Sequence, residues 1–234
     1  MVTQTDIQHS ATPLAEHEFP GMLADLTPAR KGEESPAAFA VKFYSKIDAL
    51  VGKIDQPLAC EAGCSYCCHY HVYIYAAEAF AMVEALQQLP DEVQRTIVQA
   101  VRRNLETIKT LTVDEYISTN IPCAFLINGR CGIYSARPSA CRHHHSVDGV
   151  SCKITFDDPT SSMQNLLSPE HMIATTAMIC AFENAQLAAG TDAERFELHS
   201  AVLEAIRNPD SRARWRSGKV TFPRTKDRFS REDV

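Results

Sequence analysis

Residues 60–68 read Cys60-Glu61-Ala62-Gly63-Cys64-Ser65-Tyr66-Cys67-Cys68, four cysteines within nine positions. The chain has nine cysteines, and the others are Cys123, Cys131, Cys141, Cys152 and Cys180. An odd number excludes a complete set of intramolecular disulfides. The N-terminal stretch to Phe19 is polar and lacks the apolar run of a secretory signal, so a cytoplasmic, reducing compartment is expected. In that setting clustered cysteines read as metal ligands or catalytic thiols. Four core cysteines among polar neighbours would be an improbable use of a small apolar residue. Cys180 is different: it sits inside a helical apolar pattern and is expected to be an ordinary buried side chain.

A thiolate site needs several sulfurs converging on one point, about 2.3 Å from a zinc ion. A C-x-x-C turn directs two sulfurs to one place, and Gly63 lets the backbone turn tightly before Cys64. Cys67 and Cys68 are adjacent, so in an extended segment they point to opposite sides. The candidate ligands are therefore Cys60, Cys64, Cys67, Cys68, Cys123, Cys131, Cys141 and Cys152. Eight thiols can supply two four-ligand sites, or one site with spare thiols, and spacing alone does not choose.

Working outward, helical periodicity dominates. Phe39, Phe43, Ile47 and Leu50 recur at three- and four-residue steps, predicting a helix from Pro36 to near Pro57. Val72 to Tyr75 is a short β-like run or a helix entry. Residues 76–89 and 92–111 read as two helices broken by Pro90, expected to form an antiparallel hairpin. Asn128-Gly129 between two apolar runs predicts a tight β-hairpin bringing Cys123 and Cys131 within reach of one another. Residues 146–162 look irregular. Ser168-Pro169 opens a helix that Gly190 closes, with Met172, Thr176, Ile179, Phe182 and Ala185 inward. Thr191 to Glu194 resembles a capping box opening a last helix to Arg207.

The expected fold is mainly α: a helical domain with a small β-hairpin and a cysteine-rich metal site. Residues 1–34, with Pro13, Pro20 and Pro28 and no sustained period, read as a flexible or loosely docked arm. Residues 35–210 form one metal-binding domain with its motif core at 57–152, and residues 211–234 a charged peripheral tail. The basic run Arg212, Arg214, Arg216, Lys219 and Arg224 is read as part of a solvated tail.

With 23 Lys+Arg against 29 Asp+Glu the net charge is −6, which disfavours non-specific nucleic-acid binding. No apolar run approaches the ~20 residues of a membrane span. No G-x-S-x-G, P-loop or G-x-G-x-x-G is present.

The ordered set Cys60-x3-Cys64-x2-Cys67-Cys68, Pro122-Cys123-Ala-Phe125-Leu126, Cys131-Gly-Ile133-Tyr134, Arg137-Pro138 and Cys141-Arg142 resembles the YkgJ-like cysteine-cluster family, a zinc- or iron-chelating domain. Seven cysteines match by position, over roughly residues 57–145; the first gap has three residues where the family pattern has two. The resemblance implies zinc or iron, a 4Fe-4S cluster included. One branch resembles flagellin lysine N-methylases, which implies an iron–sulfur-dependent protein-modifying enzyme acting on a protein substrate. A third reading is a zinc-stabilised module that binds a protein partner. The triplet Cys60-x3-Cys64-x2-Cys67 also resembles that of radical-SAM enzymes, but the alternation of strand and helix their barrel requires is absent. In the tract His143-His144-His145 at most one or two imidazoles could reach a single ion, and a hydrogen-bonding loop is the preferred reading. His69 and His71 could support the site or replace a ligand. Arg137 and Arg142 stay protonated; they could offset thiolate charge or donate to carbonyls.

Overall fold

The computed structural model describes residues 3–225. Its helices are α1 (Gln4–Lys31), α2 (Pro36–Val51), α3 (Ala76–Leu86), α4 (Asp91–Ile108), α5 (Val113–Ile117), α6 (Ser139–His143), α7 (Gly149–Asp157), α8 (Pro169–Ala189), α9 (Leu198–Arg207) and α10 (Ser211–Arg216). The strands are β1 (Tyr73–Tyr75), β2 (Leu126–Ile127), β3 (Arg130–Cys131) and β4 (Arg195–Glu197). The fold is mainly helical, as the periodicity predicts. Among the described residues no helix is long and apolar enough to cross a membrane.

Local chemistry sets many of the boundaries. Ser35 caps α2 through the Ala37 N–H, and Pro36 occupies the first turn, where its missing donor costs nothing. Ser168 accepts from the His171 N–H at the start of α8, and Gly190 ends that helix at φ 66°, a left-handed conformation glycine adopts without strain. The β2–β3 hairpin pairs Leu126 with Cys131 and Ile127 with Arg130. Its turn places Asn128 at φ 50° and Gly129 at φ 74°, both positive as a two-residue turn between right-twisted strands requires.

The core lies where α2, α3, α8 and α9 meet. Phe182 stacks on Phe39 and Phe43 with ring centroids 4.5 and 4.0 Å apart, and Tyr75 meets it edge-on. The chain closes with β4 pairing antiparallel to β1, Tyr73 opposite Glu197 and Tyr75 opposite Arg195. That pairing joins segments about 120 residues apart in sequence and has no local signal.

Several expectations are corrected. The N-terminal segment is no loose arm: residues 4–31 form α1, which lies along α8 and buries Ile7, Ala11, Met22, Leu26 and Ala29. Its three interior prolines hide the helix from a sequence reading, because each removes a backbone hydrogen bond. Packing of small residues compensates, as Ala11 and Ala15 meet Ala177. The C-terminal tail is likewise docked. Trp215 is fully buried and donates through Nε1 to Gln186 Oε1 at 3.2 Å, while Phe222 packs on Phe80 and Phe196. Arg216 donates to the Ala29 carbonyl and Arg212 covers the Phe80 ring, so the basic run is partly an anchor. The parts of these two segments at residues 1–2 and 226–234 lie outside the described residues.

Helices α3 and α4 do not form a hairpin of their own; both pack on α9. Residues 149–157 are helical because Asp148 accepts from the Val150 and Ser151 N–H groups. The box at residues 191–194 opens no helix. Asp192 turns its carboxylate to the N–H groups of Glu194 and Thr221, and Glu197 caps α9 after the β4 strand. The inward face of α8 is also shifted. Ala174, Ala177, Met178 and Ala181 are buried beside the expected Phe182 and Ala185, whereas Met172, Thr176 and Ile179 are half-buried and Cys180 is exposed.

Because Trp215 fastens the end of the chain to α8, Trp215→Ala is expected to destabilise the fold by about 3–5 kcal/mol. Urea unfolding followed by circular dichroism measures this, and a loss below 1 kcal/mol, roughly the scale of a surface substitution, would show that the segment is only loosely attached.

Candidate metal centre

The cysteines arrive on four separate pieces of chain. The Cys60 segment lies along residues 146–149: the Ala59 N–H donates to the Ser146 carbonyl at 2.8 Å, and the Ser146 N–H donates to Cys60 Sγ at 3.3 Å. Gly63, at φ 99°, allows the tight turn in which the Cys64 N–H reaches the Glu61 carbonyl. Cys67 and Cys68 sit in a 3-10 turn, Tyr66–His69, rather than an extended segment. They therefore do not point to opposite sides: the Cys67 thiol hydrogen-bonds to Cys68, which raises its own pKa and lowers that of Cys68.

The second piece of chain is stitched to the first. The Cys123 N–H donates to the Cys68 carbonyl at 2.8 Å, and the Ile121 N–H donates to the His69 carbonyl at 3.1 Å. The hairpin then carries Cys131 back beside Cys123. Cys141 lies in the middle of α6, and Cys152 is buried on α7.

Electrostatics reports which thiols are neighbours. Cys141 feels Cys123, Cys131 and Cys68; Cys123 feels Cys131 and Cys68; Cys131 feels Cys68. Every pair within this set of four is thus coupled. Burial is the main cause of the raised pKa of Cys141, Cys131 and Cys123, the last pushed up to about 12. Opposing it, the Phe125 N–H faces Cys123 and the Ile133 N–H faces Cys131, each two residues after its cysteine. Such donors favour the thiolate. Cys67 adjoins the set through Cys68 and Cys141, and it also feels Cys60. Cys60 in turn feels Cys64 and Cys152, and burial raises its pKa. Cys180 lies on α8 in the groove facing α1.

Arg137 stands among these thiols. Its charge favours the thiolates of Cys60, Cys68 and Cys131, its guanidinium lies 4.0 Å over the Tyr134 ring, and its Nε is buried without a hydrogen-bond partner. Arg142 takes the other role open to it. It is buried, bonds to the carbonyls of Arg137 and Ser135, and pairs with Asp48. Among the described residues, however, no three His, Cys, Asp or Glu side chains are grouped as they would be around a metal ion.

Two buried polar networks hold this part of the chain. Glu78 is fully buried and accepts from the Ser139 N–H at 2.6 Å and the Tyr75 N–H at 3.1 Å, fixing the start of α6 two residues before Cys141. His199 accepts at Nε2 from Asn104 at 3.0 Å and from the Ala124 N–H at 3.4 Å, so its proton sits on Nδ1, 2.7 Å from Glu197. Asn104 also donates to the Pro122 carbonyl at 2.8 Å, clamping the loop on both sides of Cys123. Sequence reading missed Glu78, Asn104, Glu197 and His199: Glu78, Asn104 and His199 find partners tens of residues away, and Glu197 caps α9 from the end of a strand whose pairing has no local signal.

The histidine tract is spread over several contacts. His143 bonds to Thr175 Oγ1 at 2.6 Å, His144 meets Tyr70 edge-on, and His145 packs on His171. His69 bonds to the Ser65 carbonyl, and His71 rests against Tyr116.

Asn104→Ala removes the clamp on the Pro122 carbonyl and one of the two donors to His199 Nε2, which keeps the Ala124 N–H. The expected cost is about 1–3 kcal/mol, read from urea melts. An unchanged melt would mean that the loop is held by the hairpin and the Cys68–Cys123 backbone bond alone.

A family model described as "Putative zinc- or iron-chelating domain", with the pattern CxxCxxCC, matches residues 59–181, more than half of the chain. No curated protein and no solved structure matches the chain.

Proposed function

The chain belongs to the CxxCxxCC family, and from that premise we propose that it binds zinc or iron through its cysteine cluster, with Cys68, Cys123, Cys131 and Cys141 as the inner ligand set. The observation that carries this reading is the family match over residues 59–181, and the choice of these four thiols is supported by the contacts that bring their three segments together, the Cys123 N–H on the Cys68 carbonyl and the pairing of Cys131 opposite Leu126 among them. The donor set fits the metal chemically. Soft thiolates select zinc or iron–sulfur clusters over magnesium or calcium. Peptide N–H groups directed at two of the sulfurs, with Arg137 nearby, supply the positive potential that four thiolates need. The remaining thiols, Cys60, Cys64, Cys67 and Cys152, form an outer group.

Four thiolates satisfy a zinc ion completely, which makes such a site structural and couples metal binding to folding. Four thiolates equally serve an iron–sulfur cluster. Hydrogen bonds hold the backbone around each inner cysteine, which supports this reading: Cys68 and Cys123 by their shared hydrogen bond, Cys131 by the hairpin, Cys141 by the Glu78-capped helix.

The test compares metal content, by elemental analysis of untagged protein purified anaerobically, in Cys68→Ser, Cys141→Ser and Cys180→Ser. The first two are expected to lose the metal and melt earlier, while Cys180→Ser keeps both. Equal metal in all three sinks the assignment. Acid-labile sulfide with visible absorption identifies a cluster, and colourless protein with zinc identifies a single-ion site.

A further inference from the structure

We propose that the groove beside α1 and α8 binds an extended peptide segment of another protein, one of whose residues donates its backbone N–H to His143 Nε2 and accepts at its backbone C=O from Arg195 Nη1. The inference goes beyond the metal-binding reading and does not depend on it, although α6, which carries Cys141, borders the groove.

Size and shape come first. The groove has a volume of about 1190 Å³, above the roughly 300–1,000 Å³ of most small-molecule sites. It runs beside α1 from Gln4 to Phe19 and beside α8 from Thr176 to Ala188, with α6 and the β1–β4 pair along it. At ~1.5 Å per helical residue these walls are about 20 Å long, enough for about six residues of extended chain. A peptide strand fits that length better than a compact metabolite does.

The polar groups in the groove select a neutral ligand that both donates and accepts. The Thr175 hydroxyl donates to the His171 carbonyl at 2.7 Å, so it accepts from His143 Nδ1 at 2.6 Å. The imidazole proton is therefore on Nδ1, and Nε2 is an acceptor. Arg195 uses Nε and Nη2 on the Tyr75 hydroxyl, at 2.9 and 2.6 Å, and Nη2 also on Glu183 at 3.0 Å. Among the described residues nothing donates to His143 Nε2 and nothing accepts from Arg195 Nη1. Helix α6 lies against β1 and α8, which places His143 and Arg195 on the same part of the groove.

Glu183 offsets the Arg195 charge. An anion bound there would meet Glu183, and a cation would meet Arg195; an uncharged amide meets neither penalty. Glu16, the other charged residue on the walls, is exposed on α1, where solvent screens it. One residue of an extended strand carries its N–H and C=O on the same edge, which matches an acceptor and a donor side by side. Gln4, Gln8 and Asn184 add exposed carboxamides along the walls, and each can donate and accept. Ile179 and Leu187 offer apolar contact for side chains between these points. Main-chain hydrogen bonds then supply affinity and the apolar contacts supply preference, as in other grooves that take extended peptides.

Random heptapeptides displayed on phage are selected on the immobilised full-length protein. The enriched sequence, synthesised with a fluorescein label, is titrated by fluorescence anisotropy. Saturable binding is expected. Ala188→Trp, an exposed change that fills the groove from its wall, is expected to abolish it while leaving the melt and the metal content unchanged. Replacing the peptide amides one at a time by esters removes single N–H donors. One ester is expected to weaken binding about tenfold, the worth of one net hydrogen bond, and to cost nothing further in His143→Phe. Failure to select any peptide, or binding that Ala188→Trp leaves intact, overturns the inference. So does an enriched sequence matching residues 226–234, which assigns the groove to this chain's own end, or a dimer that the peptide dissociates, which assigns it to a second copy. Each of these outcomes leaves the metal-binding reading standing, because that reading is decided by metal content alone.

Discussion

The hydrogen bond from the Cys123 N–H to the Cys68 carbonyl is the contact on which the cysteine-rich region depends. It is a backbone bond, so it fixes the relative position of two chain segments without committing either thiol. Those segments are separated in sequence by a strand and three helices. Closing so long a loop costs entropy, which one hydrogen bond does not recover. The compensation comes from elsewhere: α3 and α4 both lie on α9, Asn104 and His199 clamp the loop around Cys123, and the β1–β4 pair ties residues 73–75 to residues 195–197. The helical core thus holds the cysteine loops in place.

Burial and charge pull in opposite directions around the thiols. Burial raises the pKa of Cys123, Cys131 and Cys141, disfavouring their thiolates. Metal binding requires the opposite state. Directed peptide N–H groups and the Arg137 guanidinium reduce the penalty, and a cation would remove most of it. The metal-binding reading proposed above accounts for thiols that are buried yet faced by N–H donors. A core of ordinary apolar cysteines would need neither the N–H groups nor the arginine.

Much of the framework was legible because its causes are local. Asn128-Gly129 dictates a hairpin through the positive φ of both residues, and Ser168-Pro169 with Gly190 brackets α8 to the residue. Where causes were not local, the reading went astray. Pro13, Pro20 and Pro28 argue against a helix, yet α1 forms because its small residues fit against α8. Trp215 lies among arginines that suggest solvent, yet its ring fills the core and its N–H finds Gln186. Cys180 follows an apolar period, but the face of α8 that turns inward is one residue away from it.

The sequence by itself determined a mainly helical chain with one tight hairpin and a dense cysteine segment whose order of motifs marks the family. Those properties follow from residue type, spacing and turn chemistry, which act over a few positions. Only the tertiary structure decided which thiols are neighbours, that Arg137 stands among them, and that Glu78, Asn104 and His199 hold their loops. The reason is physical: a thiol's neighbours across space depend on how helices and loops pack, and that packing is settled by the whole core at once.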